Sequence, residues 1–442
     1  MNSKITTKNA MLRYCLIQLL LWTQFCCCTS FAAVFMHGKG VSNAMIGVAF
    51  AIGNLLAFIS QPMLSSVADR GKKITVTQMA ILMYAAMFSL EAITLVAGLP
   101  VIVVTLIYAL IFMIIQNTPV IANGLGIYYM DRGASINYGV SRGLGSISYS
   151  CLSLILGELV TVTSYRTVAY AQLILAVLTI IALRLMPTPR NVLSSKMAAA
   201  ADIESVSTGS SAADIESVPT GSSVADTESV PEVLEEKISE DTSYLAFIKK
   251  NRSFMMYFLG MGMIMILYNF YNNFTINIVK SVGAGSEEMG MLLAIAGIAE
   301  VPAMFAFDHL ARKIEVKHLM IVSALGFAVR GSLMTFAGGV AGLYAASVMQ
   351  FMGFALFMPG MVKLSDKYFG EGDKNKAQGL LQSTMSFGAI IGSMVGGPLI
   401  DIIGVRSVMV VMLAVSVVGT VIAILALEKF CGKNKLAKTE IE

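Results

Sequence analysis

Four ionisable residues, Glu91, Arg142, Glu300 and Arg330, stand inside stretches that are otherwise apolar. A charge at mid-bilayer costs roughly 2.5–3.5 kcal/mol even on the lenient insertion scale, so such residues should face a protein interior and have partners. The chemistry open to them is narrow. A carboxyl group there can take and release a proton, which makes Glu300, and after it Glu91, the candidates for proton coupling. An arginine keeps its charge, so Arg142 and Arg330 each need a carboxylate or an anionic ligand. Metal or acid/base chemistry would need clustered His, Asp or Glu, whereas His37, His309 and His318 all fall near loops. Cys26, Cys27 and Cys28 are consecutive and point in different directions around a helix, as small packing residues do. An enzyme is not expected, nor is a metal or cofactor.

Polar residues also form rows. Asn269, Asn273 and Asn277 recur at every fourth position, with Asn272 beside them and Tyr268 and Tyr271 nearby. Asn54 shares a face with Gln61, Gln116 with Asn123 about Pro119, and Gln378 with Gln382 and Ser386. Gln350 adds a further amide. Amides and phenols offer both donors and acceptors, which suits sugar-like hydroxyls. The same residues serve elsewhere as glue between helices.

The elements that must position these groups are apolar spans. The chain is 56% hydrophobic and only 13% charged. Twelve stretches reach the roughly 20 residues a helix needs to cross the hydrocarbon. They run at about 14–36, 44–66, 74–97, 101–129, 139–163 and 166–186, then at about 253–279, 287–311, 318–337, 340–362, 376–400 and 405–427; they are spans 1 to 12 below. The expected fold is an all-α polytopic membrane protein of two six-helix pseudo-symmetric halves, residues 1–186 and 253–442. Residues 187–252 form an acidic linker. It repeats AADIESVSTGSS, AADIESVPTGSS and VADTESVPEV, a composition too polar to bury a core, so disorder is expected.

Lysine and arginine orient the chain. With both termini cytoplasmic, the inner loops hold Lys4, Lys8, Arg13, Arg70, Lys72, Lys73, Arg132, Arg312, Lys313 and Lys317, with more in later loops and the tail. The outer loops keep only Lys39, Arg166, Lys280 and Arg406. The net charge of +4 thus reports topology and gives no sign of a nucleic-acid partner.

The halves resemble each other. Pro62 and Pro302 each precede a Lys-Ile pair, Lys73-Ile74 and Lys313-Ile314, by the same interval. The loop Asp69-Arg70-Gly71-Lys72-Lys73 resembles the signature between helices 2 and 3 of the major facilitator superfamily, one residue shorter than its usual form. The resemblance implies that Asp69 and Arg70 latch helix ends during gating.

More narrowly, the chain resembles the lactose permease-like oligosaccharide/proton symporters. Ser60-Gln61-Pro62 with Asp69 is similar to the helix 2 end of that branch, and the run from Tyr138 to Ser146 to its helix 5 start. The resemblance implies that Arg142 holds substrate hydroxyls, that Tyr149 stacks on a ring, that Glu300 matches the branch's essential helix 8 glutamate, and that Arg330 matches its helix 9 arginine. Two departures stand out. The acid that partners the helix 5 arginine should fall near Ala122, where only Asn123 is close. The helix 10 His and Glu are replaced by Gly353 and Leu356.

The expected substrate-binding set is therefore Arg142, Tyr149, Asn123, Asn269, Asn272, Asn273, Gln350 and Arg330. The expected function is secondary active transport of a small polar solute, sugar- or nucleoside-like, by proton symport in a monomer within the lipid bilayer of the cell membrane. The alternative is an efflux antiporter. Span 5, which reads LGSISYSCLSLILGELV, lacks the proline that such antiporters usually carry there.

Overall fold

A computed structural model describes residues 7–70, 75–131, 136, 138–186 and 244–439. The expected linker repeats lie outside the described residues. Among those described, the structure is helical, with no strand. This follows from the apolar composition, since in hydrocarbon a backbone must satisfy its hydrogen bonds within the segment.

Among the described residues, eleven helices are long and apolar enough to cross a membrane. The last of them, Asp373–Gly432, is 60 residues long and holds two spans. It turns at Gly404, whose φ of 77° suits glycine, so spans 11 and 12 separate there. The chain is thus a multi-pass membrane protein with spans close to those expected. Within the segment read as linker, Tyr244–Lys250 forms a short helix whose Phe247 packs on Phe254 and Phe369 of the second half.

Three spans expected to be continuous are broken. Span 1 runs Thr7–Thr29, turns, and resumes as Ala32–Gly38. Span 7 runs Arg252–Asn273 and resumes as Thr275–Lys280. Span 10 runs Val340–Val348, tightens into a 3-10 turn at Met349–Phe351, and resumes as Phe354–Tyr368. A hydropathy window sees only apolarity, so these breaks are silent in the sequence. Broken helices at mid-membrane are where transporters build binding sites, because freed backbone groups line a cavity there.

The two halves meet along span 5 (Tyr138–Val162) against span 8 (Ser286–Lys313), and along span 2 (Asn43–Arg70) against span 11. Both contacts are closest at the face remote from the chain termini. A Cβ on Gly157 would lie 2.6 Å from the Ser286 carbonyl and 3.0 Å from the Gly290 Cα. One on Gly47 would lie 3.1 Å from the Gly397 Cα. Only glycine lets the backbones approach so closely.

At this face the two cores merge. Phe31, Phe35 and Phe50 of the first half share one cluster with Phe270, Phe274 and Ile278 of the second. Toward the termini the cores are separate, one around Tyr14, Tyr84 and Tyr129, the other around Phe254, Phe327 and Phe430. Among the described residues, the two cores are thus merged at the remote face and separate at the termini face.

Candidate functional site

A buried polar cluster forms at the break in span 10. Gln350, in the 3-10 turn, donates from Nε2 to Glu300 Oε1 at 2.6 Å and to the Tyr268 hydroxyl at 3.2 Å. Span 9 (Val316–Phe336) holds the break in place. Ser323 Oγ donates to the Gly353 carbonyl at 2.8 Å, and a Cβ on Gly326 would lie 2.7 Å from the Met352 carbonyl carbon. Arg330, one turn along span 9, places its guanidinium 5.5 Å from the Tyr268 ring centroid. Phe354 stacks on the same ring at 5.4 Å and 7°.

Glu300, Gln350 and Arg330 are all buried, yet Arg330 Nε and Nη1 and Gln350 Oε1 find no hydrogen-bond partner among the described residues. Two donors and an acceptor are thus fixed in place with spare capacity. Buried polar groups are nearly always paired, so an exception points to a ligand or a functional state.

The first half supplies a second wall. Arg142 lies with its guanidinium 3.9 Å from the Trp22 ring centroid and donates from Nη1 to Ser146 Oγ at 3.0 Å. Trp22 is the single tryptophan of the chain, and its ring edge fills the space over Gly145. Tyr149 pairs its hydroxyl with Ser30 Oγ at 2.5 Å, at the break of span 1.

The register of spans 5 and 8 brings the walls together. Gly143 faces Phe305, a Cβ there lying 3.4 Å from the ring, while Gly297 faces Ser146 and Ser150. Glu300 falls between these contacts on span 8, Arg142 adjoins Gly143 on span 5, and Glu300 lies within electrostatic reach of both Arg142 and Arg330. The structure therefore gathers Glu300, Arg330, Gln350 and Arg142 around one central region, with Tyr149 on its first-half wall.

The amide rows have other partners as well. Asn269 donates to the carbonyls of Met265 and Met385, and Asn273 to Ser393 Oγ at 2.7 Å, so both bind span 7 to span 11. Asn272 is half-buried beside them. Gln116 donates to Asn54 Oδ1 at 2.8 Å, joining spans 4 and 2. Asn123 is exposed, on the part of span 4 nearer the termini face, as is Gln382 on span 11. Amides exposed in mid-helix suit water rather than lipid. Glu91 lies apart, inside the first half, with Gln24 and Cys28. The side chains of Asp69 and Arg70 lie outside the described residues.

The sequence gives no sign of one further feature, a polar latch across the closed face. Asp401, at the end of span 11, accepts from Asn43 Nδ2 at 2.7 Å and from the Ala44 backbone N–H at 2.8 Å. It caps the first turn of span 2 from the opposite half of the molecule. Asn277 donates to Asn43 Oδ1 at 2.7 Å and lies 3.4 Å from His37 Nε2, so span 7 joins the latch.

The comparisons with known proteins agree with this architecture. A family described as MFS_1 like matches residues 11–411. Among curated proteins, none matches. Among solved structures, a crystal structure titled nucleoside transporter NupG superposes with a TM-score of 0.71 at 14% identity, covering 95% of this chain and 99% of that one. A point mutant of NupG gives a TM-score of 0.72 at the same identity, covering 95% and 100%. A bacterial homologue of the human lysosomal transporter Spinster, described as inward-facing and unoccupied, gives 0.59 at 12% identity, covering 98% and 99%. At such identities the likeness establishes the fold.

Proposed function

The chain belongs to the MFS_1-like family of membrane transporters, and we propose that it moves a small, hydroxyl-rich polar solute by alternating access with proton symport. The observation that carries this reading is the buried Glu300–Gln350 pair at the break of span 10, facing Arg142 across the two halves. Glu300 is the coupling acid. Protonated, it gives up part of its hold on Gln350 and its field on the arginines; ionised, it draws them in. Binding of a solute that favours one of these states then shifts the balance between the two orientations of the halves.

Arg142, Arg330, Gln350 and Tyr149, with Asn123, Asn269, Asn272 and Asn273 around them, form the solute path. Arg142 is stacked and hydrogen-bonded, which fixes the plane of its fork toward a hydroxyl-bearing ring. With the termini in the cytoplasm of a cell, the parted face opens inward and the Asp401 latch closes the outer face. Asp69 and Arg70 engage at the inner face in the opposite state. The protein works as a monomer in the cell membrane.

The test is uptake by proteoliposomes from a labelled panel of sugars, nucleosides and aromatic acids, with and without an inwardly acidifying pH gradient. Accumulation of a sugar or nucleoside only with the gradient supports the reading. Gradient-driven expulsion of apolar cations, with no uptake of any panel member, contradicts it in favour of efflux.

A further inference from the structure

Glu91 is fully buried on span 3 (Val76–Thr94), away from the cluster around Glu300. Two donors converge on a single carboxyl oxygen. Gln24 Nε2 donates to Oε1 at 3.0 Å, and the Cys28 thiol donates to the same Oε1 at 3.4 Å. The other oxygen, Oε2, has no hydrogen-bond partner among the described residues, and neither does Gln24 Oε1. Both orphans belong to one pair of side chains, on spans 1 and 3.

The titratable groups that face Glu91 are Cys27 and Cys28 from span 1, Tyr84 from its own helix, and Tyr108 from span 4. Span 6 contributes the neutral Gln172, which holds Tyr108 and the Cys27 carbonyl. Thiols and phenols are neutral near pH 7. No lysine, arginine or histidine pairs with Glu91 among the described residues. A carboxylate taken out of water without a cation is heavily penalised and neutralises instead.

We propose that Glu91 carries a proton in the folded protein and closes an acid–amide ring with Gln24, tying span 3 to span 1. In that ring Gln24 N–H donates to Glu91 Oε1, as observed, and Glu91 Oε2–H donates to Gln24 Oε1. One proton, taken from solvent during folding, joins the two orphaned oxygens. The asymmetry identifies its position: the oxygen that accepts twice is the carbonyl, and the one that accepts nothing is the hydroxyl. The site therefore binds a proton as a structural ligand, separate from the exchanging proton assigned to Glu300, and this inference does not rest on which solute is carried.

The pairing of an acid with an amide makes a sharp test, because glutamine reproduces a protonated glutamate and not an ionised one. The measurement is the infrared difference spectrum between purified full-length wild type and Glu91→Gln at neutral pH. The wild type should show the carbonyl stretch of a neutral carboxylic acid, lost in the variant. Carboxylate bands in its place would overturn the proposal.

Melting temperatures give a second reading. Glu91→Gln should melt close to the wild type, and Glu91→Leu several degrees lower. The exchange Gln24→Glu with Glu91→Gln should restore the neutral-acid band. Failure of Glu91→Gln to insert would contradict the proposal, which requires the amide to substitute for the acid. A sodium-dependent rise in melting temperature, abolished by Glu91→Gln, would overturn it in favour of a bound cation.

Discussion

Removing the carboxylate of Asp401 should loosen the closed face. In the closed state it accepts two short hydrogen bonds, from Asn43 Nδ2 at 2.7 Å and from the Ala44 N–H at 2.8 Å. Hydrogen bonds to a charged group are worth about 1.5–3 kcal/mol when well shielded. Asp401 is exposed, so water recovers part of that when the bonds break. Loss of a helix N-cap typically costs about 1 kcal/mol. Asp401→Ala should therefore weaken closure by about 1–2 kcal/mol, a factor of roughly 5–30 in the balance between the two orientations.

Asp401→Asn keeps an acceptor for the Ala44 N–H but loses the charge, so its shift should be smaller. The assay is electron–electron spin distance measurement between labels at Ser42 and Ile402, both exposed at this face, with the exposed Cys151 replaced by serine. The long-distance population should grow in Asp401→Ala. A change below about twofold would refute the cap as a determinant of closure.

Other outcomes follow from the same geometry. Arg142→Lys should weaken solute binding by about 5–30-fold in equilibrium dialysis, because an ammonium loses the stack on Trp22 at 3.9 Å and the fork geometry. Gly290→Leu should hold the remote face open and cut transport by at least about tenfold, since a Cβ there enters the backbone of Ser153 and lies 3.1 Å from the Gly157 Cα. The same labels at Ser42 and Ile402 report it. Deleting residues 200–230, which hold most of the acidic repeats, should leave uptake within about twofold of wild type, because their polar composition offers no packed core to lose.

The spans and the charged members of the site were legible for one reason: in an apolar chain, length and stray charge are both conspicuous. Glu300 and Arg330 stand out against their neighbours, and the structure places them in one buried cluster with Gln350. Partners were not legible, because pairing is a property of the fold. Gln350 meets Glu300 across 50 residues, Gln24 meets Glu91 across 67, and Asn43 meets Asp401 across 358.

The asparagine row of span 7 shows the limit of periodicity. A spacing of four places Asn269, Asn273 and Asn277 on one face, but it does not say what that face touches. The first two bind span 11 and the third binds the opposite half. The breaks in spans 1, 7 and 10 were hidden because each lies in a stretch whose average apolarity still fits a spanning helix, and the polar residues there, such as Ser30, Asn273 and Gln350, are of kinds that also occur in unbroken spans. Trp22 carried no signal beyond being single, until span 5 laid Arg142 over it.

In the proposed mechanism Glu300 is the group that ties solute movement to a proton. Glutamine keeps its size and its hydrogen bond with Gln350 but cannot titrate, so Glu300→Gln isolates the charge. The decisive measurement compares pH-driven accumulation with solute counterflow in the same proteoliposomes, alongside the melting temperature. Under the proposed mechanism, Glu300→Gln keeps counterflow and its melting temperature and loses accumulation. Wild-type accumulation by this variant would contradict it.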